Sequence, residues 1–212
     1  GGQCGVGFLI YNEDGTPRHL DFVDNTIGDF QKNATYFGGT GLDVDVTGNV
    51  ITGNGGTPTT AQNGLQFSSG VTGTVSGNTV SEIGWFWSGT GTQWTSTSIM
   101  SNGADVVITG NMVNAPTNLP TAPYTLSATG IYVISDPDGS VIQNNHVTGF
   151  DYGVISYLDG AQPVIDGNVF AGDAVNLAFY DPEVGVTING TDGVDVLVGG
   201  AGNDTLYGHG GD

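Results

Sequence analysis

Basic residues are almost missing from this chain: Arg18 and Lys32 stand against 21 acidic residues among 212, a formal charge of −19. Such a surface repels phosphate backbones and anionic headgroups, which excludes nucleic acid as a partner and favours divalent cations. Cys4 is the only cysteine, so no internal disulfide framework exists, and it reads as a small buried residue in a turn. No apolar run approaches the roughly 18 residues that would insert into a bilayer. No stretch sustains a 3.6-residue apolar period, and 38 glycines leave little material for amphipathic helices. There is no initiator Met and no signal peptide. The chain opens on Gly1-Gly2 and stops inside a repeat at Gly211-Asp212, so both ends read as cut. A hydrophobic content of 37% suffices for a core only if that core is long and thin.

What is present is periodic. Asn recurs at positions 25, 49, 78, 111, 145 and 168, usually after Gly. Three residues before each stands an apolar residue: Phe22, Val46, Val75, Ile108, Ile142 and Ile165. Two residues after each stands another: Ile27, Ile51, Val80, Val113, Val147 and Phe170. The spacings of 24, 29, 33, 34 and 23 are too uneven for a helical solenoid and natural for stacked coils of short strands with variable loops. β-rich runs fall between the Asn residues, among them Gly64-Leu65-Gln66-Phe67 and Gly130-Ile131-Tyr132-Val133, and the insertions concentrate on one edge. Stacking in register would place Leu65, Phe67, Ile131, Val133 and Val154 inside. Asn suits the turn because it tolerates left-handed backbone, and its amide can donate to one coil and accept from the next, giving a ladder.

These residues resemble the pectate-lyase-like right-handed parallel β-helix superfamily over about residues 7 to 180. The resemblance implies an all-β solenoid of about six coils and leaves activity open, because that fold hosts lyases, hydrolases, epimerases and non-enzymatic surface proteins.

From residue 190 the period becomes nine. Gly190-Thr191-Asp192-Gly193-Val194-Asp195-Val196-Leu197-Val198 is followed in phase by Gly199-Gly200-Ala201-Gly202-Asn203-Asp204-Thr205-Leu206-Tyr207, then by Gly208-His209-Gly210-Gly211-Asp212. This looks like the G-G-x-G-x-D-x-L-x repeat of RTX proteins, whose resemblance implies a calcium-loaded β-roll. Glycines let a turn expose backbone carbonyls, Asp adds a charged oxygen, and hard Ca²⁺ takes such ligands. The expected ligands are Gly190, Asp192, Asp195, Gly199, Gly200, Gly202, Asp204 and Gly208, with Asp195 and Asp204 as principal carboxylates. Leu197 and Leu206 are expected inside. Thr191 and His209 replace the motif's second Gly. In the family, calcium sits between loops two nonapeptides apart, so with its repeats cut short this chain is expected to bind calcium weakly.

The insertions after Asn78 and Asn111 carry Trp85, Phe86, Trp87, Trp94 and Tyr124. Aromatic rings stack on sugar faces, so Trp85, Trp87, Trp94 and Tyr124 are candidate polysaccharide-binding residues. Asp136 and Asp159 count to the same level of neighbouring coils, with Asp138, Asp181 and Glu183 near it. One coil apart, like charges raise a pKa, so Asp136 and Asp159 are candidate acid/base residues, although Asp-Gly pairs are also ordinary turns. The shortage of cations weighs against uronate chemistry, which needs a neutralised carboxylate. Gly149-Phe150-Asp151-Tyr152-Gly153 loosely resembles the Tyr/Asp/His motif of mannuronan C-5 epimerases, which also join a β-helix to RTX repeats. Here the order differs and no His follows, so Asp151 and Tyr152 are read as a turn.

The sequence therefore predicts an all-β protein with a right-handed parallel β-helix over 1–186 and the start of a calcium β-roll over 187–212. The expected function is that of a secreted bacterial calcium-binding protein, exported by the type I route, that binds a polysaccharide or a cell surface. The alternatives are a piece of a polysaccharide epimerase, lyase or hydrolase, and an adhesin-like stalk.

Overall fold

A computed structural model describes residues 5–91, 93–135, 139–157, 163–180, 185, 187–191, 193–199 and 202–209. Cys4, Asp136, Asp138, Asp159, Asp181, Glu183, Asp192 and Gly200 lie outside the described residues. The described chain is almost entirely strand and turn. It opens with β1 (Val6–Tyr11), β2 (Arg18–Val23) and β3 (Thr26–Ile27), then β4 (Asn33–Gly38), β5 (Leu42–Thr47) and β6 (Val50–Thr57). There follow β7 (Asn63–Ser68), β8 (Val71–Ser76), β9 (Thr79–Trp87), β10 (Ser96–Asn102), β11 (Asp105–Thr109) and β12 (Met112–Asn114). After these come β13 (Thr125–Ile134), β14 (Val141–Gln143), β15 (His146–Thr148), β16 (Tyr152–Tyr157), β17 (Val164–Asp166) and β18 (Val169–Ala171). The chain closes with β19 (Val175–Tyr180), β20 (Thr187–Asn189), β21 (Leu197–Val198) and β22 (Thr205–Tyr207).

Every third strand pairs in parallel with its predecessor, giving three ladders. The first runs β1-β4-β7-β10-β13-β16-β19-β21, the second β2-β5-β8-β11-β14-β17, the third β3-β6-β9-β12-β15-β18. The apolar residues flanking the recurrent Asn fall in register. Val46, Val75, Ile108 and Ile142 stack in the second ladder, and Ile51, Val80, Val113 and Val147 in the third. Leu65, Ile99, Ile131, Val154 and Leu177 stack in the first, all buried. Phe37 and Phe67 stack with ring centroids 5.2 Å apart. Each fully buried side chain of this size contributes about 1.5–3 kcal/mol, and the alternation of strand residues holds the register because a one-residue slip would turn the stack outward.

The Asn residues form a continuous ladder. Asn25, Asn49, Asn78, Asn111 and Asn145 each donate Nδ2–H to the Oδ1 of the next at 2.9 Å, ending on Asn168. The same Oδ1 accepts the backbone N–H of the preceding Asn, also at 2.9 Å. From Asn49 onward the second Nδ2 proton reaches back to the carbonyl of the apolar residue one repeat earlier, Phe22, Val46, Val75, Ile108 and Ile142 in turn. The amides are thereby satisfied in a buried place. The left-handed position is not the ladder Asn, as the sequence suggested, but the residue before it: Asp24, Gly48, Gly77, Gly110, Asn144 and Gly167, with φ between 55° and 68°. That residue makes the turn, so the Asn is left free to face the interior.

Candidate functional site

At the C-terminal end the strand geometry changes as the sequence period does. β20 pairs in parallel with β22, Thr187 opposite Thr205 and Asn189 opposite Tyr207, an offset of two nonapeptides. The strand between them, β21, turns instead to β19, Leu177 opposite Leu197. Alternate nonapeptide strands therefore go to opposite sides, and one of those sides continues the first ladder of the body.

The loop from Gly190 closes around Asp195. Its Oδ2 accepts the Thr191 N–H at 2.5 Å, and its Oδ1 accepts from Asn176 Nδ2 at 2.8 Å. Gly190 donates its N–H to the Tyr207 carbonyl at 2.7 Å, so this loop meets the segment entering Gly208, two nonapeptides on. A Cβ on Gly190 would sit 2.5 Å from Asp195 Oδ2, and one on Gly199 would run into Asp204 Oδ2. In both nonapeptides the carboxylate folds over the backbone of the glycine five residues earlier, a place from which a Cβ would displace it. Asp195 and Asp204 thus offer carboxylate oxygen beside exposed backbone carbonyls, the all-oxygen donor chemistry that suits Ca²⁺. The residues fit the ion. On one side Asp195 with the carbonyls of Gly190 and Gly208 would hold an ion, and on the other Asp204 with those of Gly199 and Gly202 would hold another.

Asn176 was not singled out in the sequence. It stands where Gly64, Ser98, Gly130 and Gly153 occupy the equivalent place in earlier strands, and an amide among these small residues is the signal that could have marked it. Its buried amide ties the last strand of the body to the first calcium loop. His209, in the second-Gly position, adopts φ 54°, the left-handed conformation a glycine would take without strain. Leu197 packs against the core as expected, but Leu206 is 48% exposed, because no described strand lies beyond β22. Where three ladders reduce to two, a cavity of about 810 Å³ opens, lined by Ile165, Phe170, Leu177, Phe179, Ile188 and His209 among others.

The aromatic edge is a second site. β9 and β13 run past their parallel neighbours and pair with each other antiparallel, Trp87 opposite Thr125, Phe86 opposite Leu126 and Trp85 opposite Ser127. Ser127 Oγ donates to the Trp94 carbonyl at 2.8 Å, so the two insertions lock together. Trp94 is 57% exposed and Tyr124 36%. Trp85 and Trp87 are half-buried, and their indole N–H groups have no hydrogen-bond partner among the described residues. Phe86 lies across Gly56, where a Cβ would collide with its ring.

Two carboxylates are raised by burial without belonging to either site. Asp151 Oδ2 accepts the Ala128 N–H at 2.9 Å and Asp173 Oδ1 accepts the Phe150 N–H at 2.7 Å, each satisfying a donor of the preceding repeat. Burial pushes the Asp173 carboxyl up to about 6, against the lowering effect of its backbone N–H partners. It raises Asp151 as well. Asp151 therefore serves a corner of the fold, in keeping with its reading as a turn residue.

No described helix is long and apolar enough to cross a membrane. Compared with curated proteins and with solved structures, the chain matches none. The family model for the RTX calcium-binding nonapeptide repeat (4 copies) matches residues 187–212. The C-terminal segment of this all-β, mostly parallel-stranded chain is thus made of repeats that bind calcium.

Proposed function

We propose that the body is a right-handed parallel β-helix of about six turns, continued by the calcium roll, and that it presents a polysaccharide-binding edge outside the cell. RTX repeats are typical of secreted bacterial proteins, which supports an extracellular place where calcium is plentiful. The binding reading rests on one observation: the antiparallel pairing of β9 with β13 gathers Trp85, Trp87, Trp94 and Tyr124, drawn from two separate insertions, onto one edge. The exposed rings of Trp94 and Tyr124 can offer apolar faces to sugar rings and polar tips to their hydroxyls, with Trp85 and Trp87 half-buried on the same edge. Binding is favoured over uronate chemistry because the chain's two Lys and Arg residues are engaged elsewhere. Arg18 is held by Asp14 at 2.6 Å, and Lys32 donates to the Ala61 carbonyl.

Tryptophan fluorescence titrated with neutral and uronate polysaccharides in calcium checks this. A saturable change is expected, and Trp94→Ala with Tyr124→Ala should weaken it at least about tenfold, the loss of about 1.4 kcal/mol. Equal affinity in the double variant would place any binding away from this edge and remove the proposal.

A further inference from the structure

We propose that His19, Asp21 and Asp45 form a surface site for a divalent transition-metal ion of the zinc class, separate from the calcium loops. The three residues lie on the outward face of the second ladder. His19 is in register with Asp43, and Asp21 with Asp45, so that two residues of β2 and two of β5 make a square of side chains. Asp21 Oδ1 lies 3.2 Å and Asp45 Oδ2 3.8 Å from His19 Nε2. Among the described residues this is the one place where three such ligand atoms, one each from His, Cys, Asp or Glu side chains, fall within 4.8 Å of one another. A zinc ion about 2.1 Å from each tetrahedral ligand holds those ligands roughly 3.4 Å apart, which the two distances bracket.

The other ring nitrogen distinguishes this cluster from a group of surface acids. His19 Nδ1 lies 2.8 Å from Asp43 Oδ2, and Asp43 Oδ1 in turn accepts the Thr72 hydroxyl at 2.9 Å from β8. A carboxylate that accepts a hydrogen bond from Nδ1–H favours the tautomer whose Nε2 lone pair faces the opposite side, the arrangement that orients a metal-binding imidazole. Here that side is the one bearing Asp21 and Asp45. The two carboxylates are directly opposed across neighbouring strands, a pairing that destabilises a sheet unless a cation lies beside them, as the His19 ring does when protonated and a metal ion would in place of that proton. An imidazole nitrogen with two carboxylates and room for water selects zinc-like ions over calcium, whose ligands are oxygens. Asp43 touches no ion in this arrangement and is a positioning residue.

The test is calorimetric titration of the full chain with Zn²⁺, run in excess calcium so that the nonapeptide loops are filled, with the histidine ring signals followed by NMR. One zinc event is expected, moving the His19 resonances and leaving those of His146. His19→Gln and Asp45→Asn should abolish it, and His146→Gln should leave it intact. Asp43→Asn should weaken it by about 10–100-fold and change the His19 tautomer signature. All these side chains are about half or more exposed or lie in the outer face, and unchanged circular dichroism will show that the fold survives. Zinc binding that persists unchanged in His19→Gln, or no event in the parent chain, would overturn the site, whatever happens at the aromatic edge or the calcium loops.

Discussion

The body and the C-terminal nonapeptides solve the same problem, stacking short parallel strands, with opposite chemistry. In the body each turn is closed by a neutral amide that both gives and takes, so the ladder from Asn25 to Asn168 satisfies itself. In the nonapeptides the turn is closed by a carboxylate, Asp195 or Asp204, which can only accept. Each such turn carries a negative charge that a bound cation neutralises. The difference predicts that one region's order is built into the chain, whereas the other's follows the calcium in the medium.

The largest expected effect would come from breaking the body's own closure. Asn111→Ala removes the acceptor of the Asn78 N–H and Nδ2 and the donor to the Val75 carbonyl, all buried. Three orphaned groups at about 1–3 kcal/mol each predict a loss of about 3 kcal/mol or more by urea unfolding, with calcium present or absent. A loss below about 1 kcal/mol would mean that water replaces the ladder and that the contrast is false. The next effect concerns the conditional region. Calcium chelation should abolish amide protection in 187–209 while leaving the body's protection unchanged. Asp195→Asn should lower calcium affinity at least about tenfold. A body that melts together with the nonapeptides would show the two regions to be one unit.

A smaller effect sharpens the comparison by pH. The Asp173 carboxyl is raised to about 6 in the folded state, so it binds more protons folded than unfolded. Its contribution is fully present below about pH 4 and is lost as pH rises through about 6. After discounting for its part exposure this amounts to about 1–2 kcal/mol. Asp173→Asn should flatten that part of the stability profile; an unchanged slope would place the titration elsewhere. Smallest of all, His209→Gly removes a left-handed non-glycine residue and should stabilise the calcium-loaded end by about 1 kcal/mol, read as a shift in its local unfolding.

Much of this was legible in the sequence because stacked parallel strands write their register into the spacing. The apolar residues three before and two after each Asn are the residues that stack, and the β-rich runs are the strands of the first ladder. What was not legible depends on contacts between insertions. Nothing local to Trp85 or Thr125 announces that β9 and β13 turn to each other in antiparallel fashion. The exposed Leu206 was misjudged because burial depends on a neighbouring layer, which a motif presumes. Asp136, Asp159, Asp192 and Gly200 fall outside the described residues. The histidine cluster was within reach of spacing alone. His19 and Asp43 are 24 residues apart, as are Asn25 and Asn49, so the Asn repeat already placed them side by side.

The Asn ladder has a direction. Each Asn from Asn25 to Asn145 sends one Nδ2–H to the Oδ1 of its C-terminal neighbour, always in the same sense, so the side-chain bonds between rungs add along the stack. Each bond polarises the next, and the positive end faces the acidic nonapeptides. A carboxylate at any rung would turn a donor into an acceptor and break that polarisation on one side. In a chain with 21 Asp and Glu, the rungs can therefore be read as places where a negative charge is forbidden.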